Sequence, residues 1–194
     1  MIPQSRVRTP AHPTQRPPLP PRVCRQIGNV LRIDGQTART HNKAALLRLN
    51  QSSFELEHVA MLDFPATTSK FVIRREPTSG RYYTLSSVVT DEAVQIGYVG
   101  ARNHLVLARS DDMLHWDVCW TLLVDDTGLT AVDSARYTGF HYVDFVFDGK
   151  DLVYAVRTGY RGANSYHNAN RLTTKRLADY AKTCDSGLHW KSST

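Results

Sequence analysis

An all-β fold follows from three features of the 194-residue chain. Short runs rich in Val, Ile, Leu, Phe and Tyr recur along it. Turn signals separate them, and no amphipathic helix longer than two turns stands out. Sandwiches, barrels and propellers all share these features. The length predicts one domain.

The first 26 residues stand apart. Met1 to about Arg25 carries seven of the nine prolines, including the PPLPP run Pro17–Pro21. Such a segment buries too little apolar surface to offset its ordering entropy, so residues 1–26 read as a disordered or polyproline-like tail and 27–194 as the domain. Arg6, Arg8, Arg16, Arg22, Arg25 and Arg32 precede the first acid, Asp34, and account for the whole net charge of +6. The remainder is neutral overall, so the high pI is no sign of a nucleic-acid partner. Cys24, Cys119 and Cys184 lack CxxC spacing and read as neither a zinc site nor a disulfide framework. At most one disulfide is expected. No apolar run has transmembrane length, and no signal-peptide h-region is visible. The expectation is no membrane, metal or cofactor.

From Ile27 the strand candidates follow in order. Val30–Ile33 and Ala44–Leu49 flank a turn at Asp34-Gly35, and Phe54–Leu62 comes next. Lys70–Arg75 and Arg81–Val89 flank a turn at Pro77–Gly80. A polar loop spans Thr90–Asn103. His104–Arg109 and His115–Val124 are joined through Asp111–Met113, and a second loop covers Asp125–Thr138. Phe140–Phe147 and Leu152–Thr158 flank Asp148-Gly149, a strong hairpin signal between β-formers. The polar loop Gly159–Asn170 then leads to the strand candidate Arg171–Leu177. One helical turn is expected at Asp179–Lys182.

A short repeat narrows the choice. Ser110–Trp116 reads SDDMLHW, and Asp185–Trp190 reads DSGLHW. Each suggests a turn whose Ser and Asp side chains bind backbone amides, followed by a Trp that packs between sheets.

These turns resemble those of sialidase-type β-propellers. A longer series resembles, in order, a group of bacterial sialidase-like propeller proteins: Asn42–Ala45, Phe64-Pro65, Lys70–Arg74, Ala101–Asn103, Ser110–Trp116, Gly139–Asp144, Arg157-Thr158 and His167–Asn170. The resemblance spans roughly Ile27–Tyr180. It departs at Asn168, where that group has Asp, so one carboxylate is missing. It implies a propeller of four-stranded blades, here incomplete at about three. Exposed sheet edges would then favour self-association. Relatives of this type act on extracellular glycans and would be secreted or periplasmic.

Candidate residues cluster in the second half. His141, Asp144, Arg157 and Thr158 interrupt apolar runs. A buried charge needs a partner, so Asp144 and Arg157 invite each other or a ligand. Asp144 is the candidate acid/base, and Tyr160 or Tyr142 a candidate nucleophile if a base lies within reach. Lys70, Arg74, Arg102, Arg157, His167 and Asn170 are candidate substrate-binding residues, since guanidinium groups match carboxylates. No second catalytic carboxylate is evident. The resemblance therefore implies a glycoside hydrolase of exo-sialidase type acting on, or binding, an acidic or polyhydroxylated glycan. A non-catalytic carbohydrate-binding fragment and an assembly module are the alternatives.

Overall fold

This computed structural model describes residues 27–34, 37, 39–66 and 68–186. The tail 1–26 with Cys24, Gly35, and the second Leu-His-Trp at 188–190 lie outside that range. β1 (Gly28–Arg32), β2 (Lys43–Leu49) and β3 (Leu56–Asp63) form the first sheet. β4 (Val72–Arg75), β5 (Tyr82–Ser87), β6 (His104–Ser110) and β7 (Asp117–Val124) form the second. β8 (Gly139–Asp148), β9 (Asp151–Gly159) and β10 (Arg171–Leu177) form the third. All pairs are antiparallel and join chain neighbours, so each sheet is an up-and-down meander. The fold is all-β, in three sheets that do not close into a ring. Only the second sheet has the expected four strands. The first and third have three each among the described residues.

The second sheet is the middle layer, and its sequence shows why. Along β5 and β6 nearly every position is buried, the pattern of strands covered on both faces. Tyr83, Leu85, Leu105 and Leu107 pack against Phe145, Leu152, Tyr154 and Val156 of the third sheet. Each such side chain contributes about 1.5–3 kcal/mol on burial. On the other side Phe71, Ile73 and Trp116 meet Ala44, Leu46, Leu62 and Phe64 around the first sheet. Asn42 ties these layers together. Its buried amide donates to the Val89 carbonyl at 2.8 Å and accepts from the Val89 N–H at 3.0 Å, copying a strand pairing.

The Ser110 turn has the expected chemistry. Ser110 Oγ accepts from the Asp112 and Met113 amides at 3.2 and 2.8 Å. Asp112 Oδ1 accepts from the Leu114 and His115 amides, both at 2.8 Å. Trp116 Nε1 donates to the Met113 carbonyl at 3.1 Å, which aims the indole at Phe64. The expected second copy differs. Helix α3 (Tyr180–Ser186) lies between β10 and that segment, so Ser186 ends a helix rather than a strand. The single helical turn expected at Asp179–Lys182 is this longer element.

Two further helices interrupt the segments read as loops. These are α1 (Asp91–Gln95) and α2 (Ala131–Tyr137). Thr90 caps α1 by accepting from the Ala93 amide, and Thr130 caps α2 by accepting from the Asp133 amide. Ala93, Ala101 and Ala135 bury a small satellite core between them. Cys119 of β7 and Cys184 of α3 form a disulfide, which fixes the helix onto the middle sheet.

Candidate functional site

The site is built on a bulge in β8. Its register with β9 slips between His141 and Asp144, so Tyr142 and Val143 together face Val156. Tyr142 adopts φ 52°, in the left-handed region that side chains other than glycine rarely enter. Past the bulge, Asp144 lies opposite Ala155, while Arg157 lies opposite His141.

This register undoes the expected Asp144–Arg157 pair. β8 is an edge strand of its sheet, and β4 of the middle sheet approaches that edge. Arg74 Nη2 on β4 therefore reaches Asp144 Oδ1, at 2.8 Å, and the Phe145 amide donates to the same oxygen at 2.8 Å. The Asp144 side chain is 65% exposed, so it is not the buried charge the apolar run suggested. The Arg74 hydrogen bond is the main reason its pKa falls below the usual carboxylate value. Asp144 is thus biased to its ionised, proton-accepting form, which suits a base better than an acid.

Arg157 turns instead to an aromatic ring. Its guanidinium lies 5.1 Å from the Tyr142 centroid, and the Lys70 ammonium lies 5.4 Å from the same centroid. Tyr142 meets the His141 ring edge-on at 5.0 Å. His141 in turn lies parallel to His167, at 5.5 Å and 8°. Arg102 lies 5.1 Å from the Tyr166 ring and donates to Thr68 Oγ1 at 3.2 Å. The Thr68 carbonyl also accepts from Arg32, at 2.6 Å. The structure thus brings Lys70, Arg102, Arg157 and His167 together around His141, singled out only as a polar interruption, Tyr142, named only as a candidate nucleophile, and Tyr166, which the residue pattern did not mark.

Two members of this cluster are buried and under-satisfied. Arg102 is 6% exposed, and its Nε and Nη1 have no hydrogen-bond partner. Burial lowers its pKa, yet a guanidinium stays charged at neutral pH. His141 is 1% exposed, and neither ring nitrogen completes a well-formed hydrogen bond. Burial first, then Arg102, Arg157 and His167, pull its pKa down to about 4, against a small upward pull from the Tyr166 backbone. Among the described residues, no carboxylate forms an ion pair with Lys70, Arg102 or Arg157. A region with this many cations and no paired acid is complementary to an anion.

The Gly159–Asn170 loop holds the upper side of the cluster. A Cβ on Gly139 would fall 2.4 Å from the Tyr166 carbonyl oxygen, and one on Gly159 would fall 3.0 Å from it. Both positions need glycine because the loop backbone lies directly on the strand ends. The Tyr166 amide donates to the Arg136 carbonyl at 2.7 Å, which anchors the loop to α2. Asn170 closes the loop neck. Its Oδ1 accepts from the Tyr160 amide at 3.1 Å, and its Nδ2 donates to the Tyr160 carbonyl at 2.7 Å. Its amide is therefore engaged within the loop.

Tyr160 has a partner that the sequence reading missed. Its hydroxyl donates to Asp126 Oδ1 at 2.5 Å, and the Arg171 guanidinium lies 4.0 Å from its ring centroid. The Asp126 hydrogen bond is the main cause of a raised Tyr160 pKa. Asp126 sits in an Asp-Asp-Thr-Gly turn, where nothing in the residue pattern distinguishes it from a turn former. Tyr160 and Asp144 are not brought together. Asp144 is level with Ala155, five residues along β9 from Tyr160, or about 16 Å at the usual strand rise. Flanking one glycosidic bond requires about 5–10 Å.

Among the described residues, no group of three or more His, Cys, Asp or Glu side chains is arranged to hold a metal ion. No helix among them is long and apolar enough to cross a membrane. No family model, curated protein or solved structure matches the chain.

Proposed function

We propose that the chain binds an acidic glycan on the face formed by Lys70, Arg102, Arg157, Tyr142 and His167, and that its sheets are blades of a sialidase-type propeller. The observation that carries the binding reading is the cationic cluster around Tyr142, with Arg102 buried and without a carboxylate partner among the described residues. A uronic or sialic acid supplies both matching parts: a carboxylate for the cations and a ring face for the tyrosine. The blade reading is supported by consecutive meander sheets stacked face to face and by the Ser110–Trp116 turn.

The test is calorimetric titration of the purified chain with sodium glucuronate, galacturonate and N-acetylneuraminate, against glucose and galactose. At least one acidic sugar is expected to bind, and the neutral sugars are not. Arg157→Ala is expected to weaken binding by about 1.5–3 kcal/mol, the usual worth of a hydrogen bond to a charged group. Binding is expected to weaken with salt, because Lys70 and Arg157 are exposed. Equal binding of neutral and acidic sugars, or none of either, refutes the reading.

A second reading, glycoside hydrolysis, is favoured by one contact. Asp126 is within hydrogen-bond reach of Tyr160, as a base serving a tyrosine nucleophile would be. It predicts release of fluorophore from an aryl sialoside that is lost in Tyr160→Phe. No turnover by the parent chain rejects it.

A further inference from the structure

We propose that His141 is a ligand-binding residue of the acidic-glycan site and takes up one proton as the anion binds. This rests on the binding reading above and adds a residue and a protonation step to it.

The geometry isolates His141 among cations. Arg157 lies opposite it on β9, and Arg102, whose carbonyl accepts from the Phe140 amide at 2.8 Å, comes from the segment before β6. His167 covers it flat at 5.5 Å, and Tyr166 of the same loop adjoins His167 at 6.5 Å. On β8 itself Tyr142 meets the ring edge-on, and the Lys70 ammonium lies 5.4 Å from that tyrosine's centroid. The nearest acid in sequence, Asp144, is engaged by Arg74. No carboxylate faces His141 from any of these elements among the described residues.

A neutral imidazole carries one N–H and one lone pair, and an imidazolium carries two N–H donors. Leaving such a group buried and unpaired is destabilising, because its desolvation is not offset by a hydrogen bond. In the free protein burial, and then the surrounding positive charge, excludes the second proton, in line with the depressed pKa. An incoming carboxylate reverses the sign of the nearest charge. It accepts from the free N–H groups of Arg102, and it makes the imidazolium the favoured form of His141. The bookkeeping is one sugar carboxylate and one solvent proton entering together, with no bond made or broken beyond the N–H on His141. Access requires His167, which is exposed, to swing aside.

The sign of the linkage is fixed. Proton uptake occurs between the bound-state pKa of His141 and its free value near 4. Across that window affinity is expected to tighten by up to tenfold for each pH unit lowered.

The experiment is titration of the whole chain with sodium glucuronate and N-acetylneuraminate from pH 8 to pH 5. At pH 6 it is run in bis-tris and in imidazole, cationic buffers with different heats of protonation. The expected result is a heat that differs between the two buffers in the sense of proton uptake, up to one proton per sugar, and tighter binding as pH falls. In His141→Gln both are expected to vanish. If that variant fails to fold, His167→Gln decides: proton uptake that persists there belongs to His141, and uptake that is lost belongs to His167 and overturns the proposal. Binding of an acidic sugar with equal observed heats in the two buffers and no pH dependence overturns the role of His141 and leaves the glycan reading standing. No binding by either acidic sugar at any pH overturns both.

Discussion

Removing the Cys119–Cys184 bond should cost this chain a large part of its stability. The bond closes a loop across a sequence separation of 65 residues. Loop-closure entropy for that length corresponds to about 4 kcal/mol at 25 °C, close to a thousandfold in the folding equilibrium. A domain of ordinary stability has roughly 5–15 kcal/mol in total. The perturbation is Cys119→Ser with Cys184→Ser, which leaves Cys24 as the sole thiol. The assay is guanidinium unfolding followed by tryptophan fluorescence. The expected result is a lower midpoint and a steeper slope, because the unlinked denatured chain exposes more surface. The bond is first verified in the parent by mass spectrometry. If it is present and its loss costs less than about 1 kcal/mol, the entropic reasoning is wrong for this chain. The denatured state would then already hold the two ends close.

Other outcomes follow from single contacts. Gly139→Ala forces a methyl against the Tyr166 carbonyl and should cost about 1–3 kcal/mol in chemical unfolding, while displacing the His167 loop. Asp112→Ala removes the acceptor for the Leu114 and His115 amides, and a loss of about 2 kcal/mol in the same assay is expected. The Ser79 side chain first, and then the Ser79 and Thr78 amides that donate to the Glu76 carboxylate, hold its pKa down at about 2 from 4.5. Its stabilisation is complete above pH 4.5 and is lost as pH falls towards 2. Thermal melts of Glu76→Gln and the parent should therefore differ most near neutrality and converge in acid. A constant gap at all pH values would show that the carboxylate charge is not what stabilises that turn.

The strands were legible because their signal is local. The short apolar runs of β2 and β6 and the tyrosine- and leucine-bearing β5 mark the strands. Asp148-Gly149 marks its hairpin, with Gly149 at φ 61°. Helices α1 and α2 are too short to show a hydrophobic period, although Thr90 and Thr130 in front of acidic first turns carried a capping signal. The site was legible in part. Lys70, Arg102, Arg157 and His167 do meet, but His141 and Tyr142 were not assigned to that cluster. The reason is the bulge. Period-two reasoning assumes an unbroken register; the hairpin already sets Asp144 opposite Ala155, and the inserted residue then moves His141 from Thr158 to Arg157. No residue pattern in β8 announces it, since the residue at positive φ is a tyrosine rather than a glycine.

The meander order of the strands also bears on how the chain is made. The first sheet is complete in sequence by residue 63 and the second by residue 124, each needing no strand from later in the chain. Pairings of short sequence separation form before long-range ones, and a growing chain presents them in that order. Synthesis can thus add one sheet at a time, each offering an apolar face to the next. The Cys119–Cys184 link needs α3, and so forms only after all three sheets have emerged and records that they are in place.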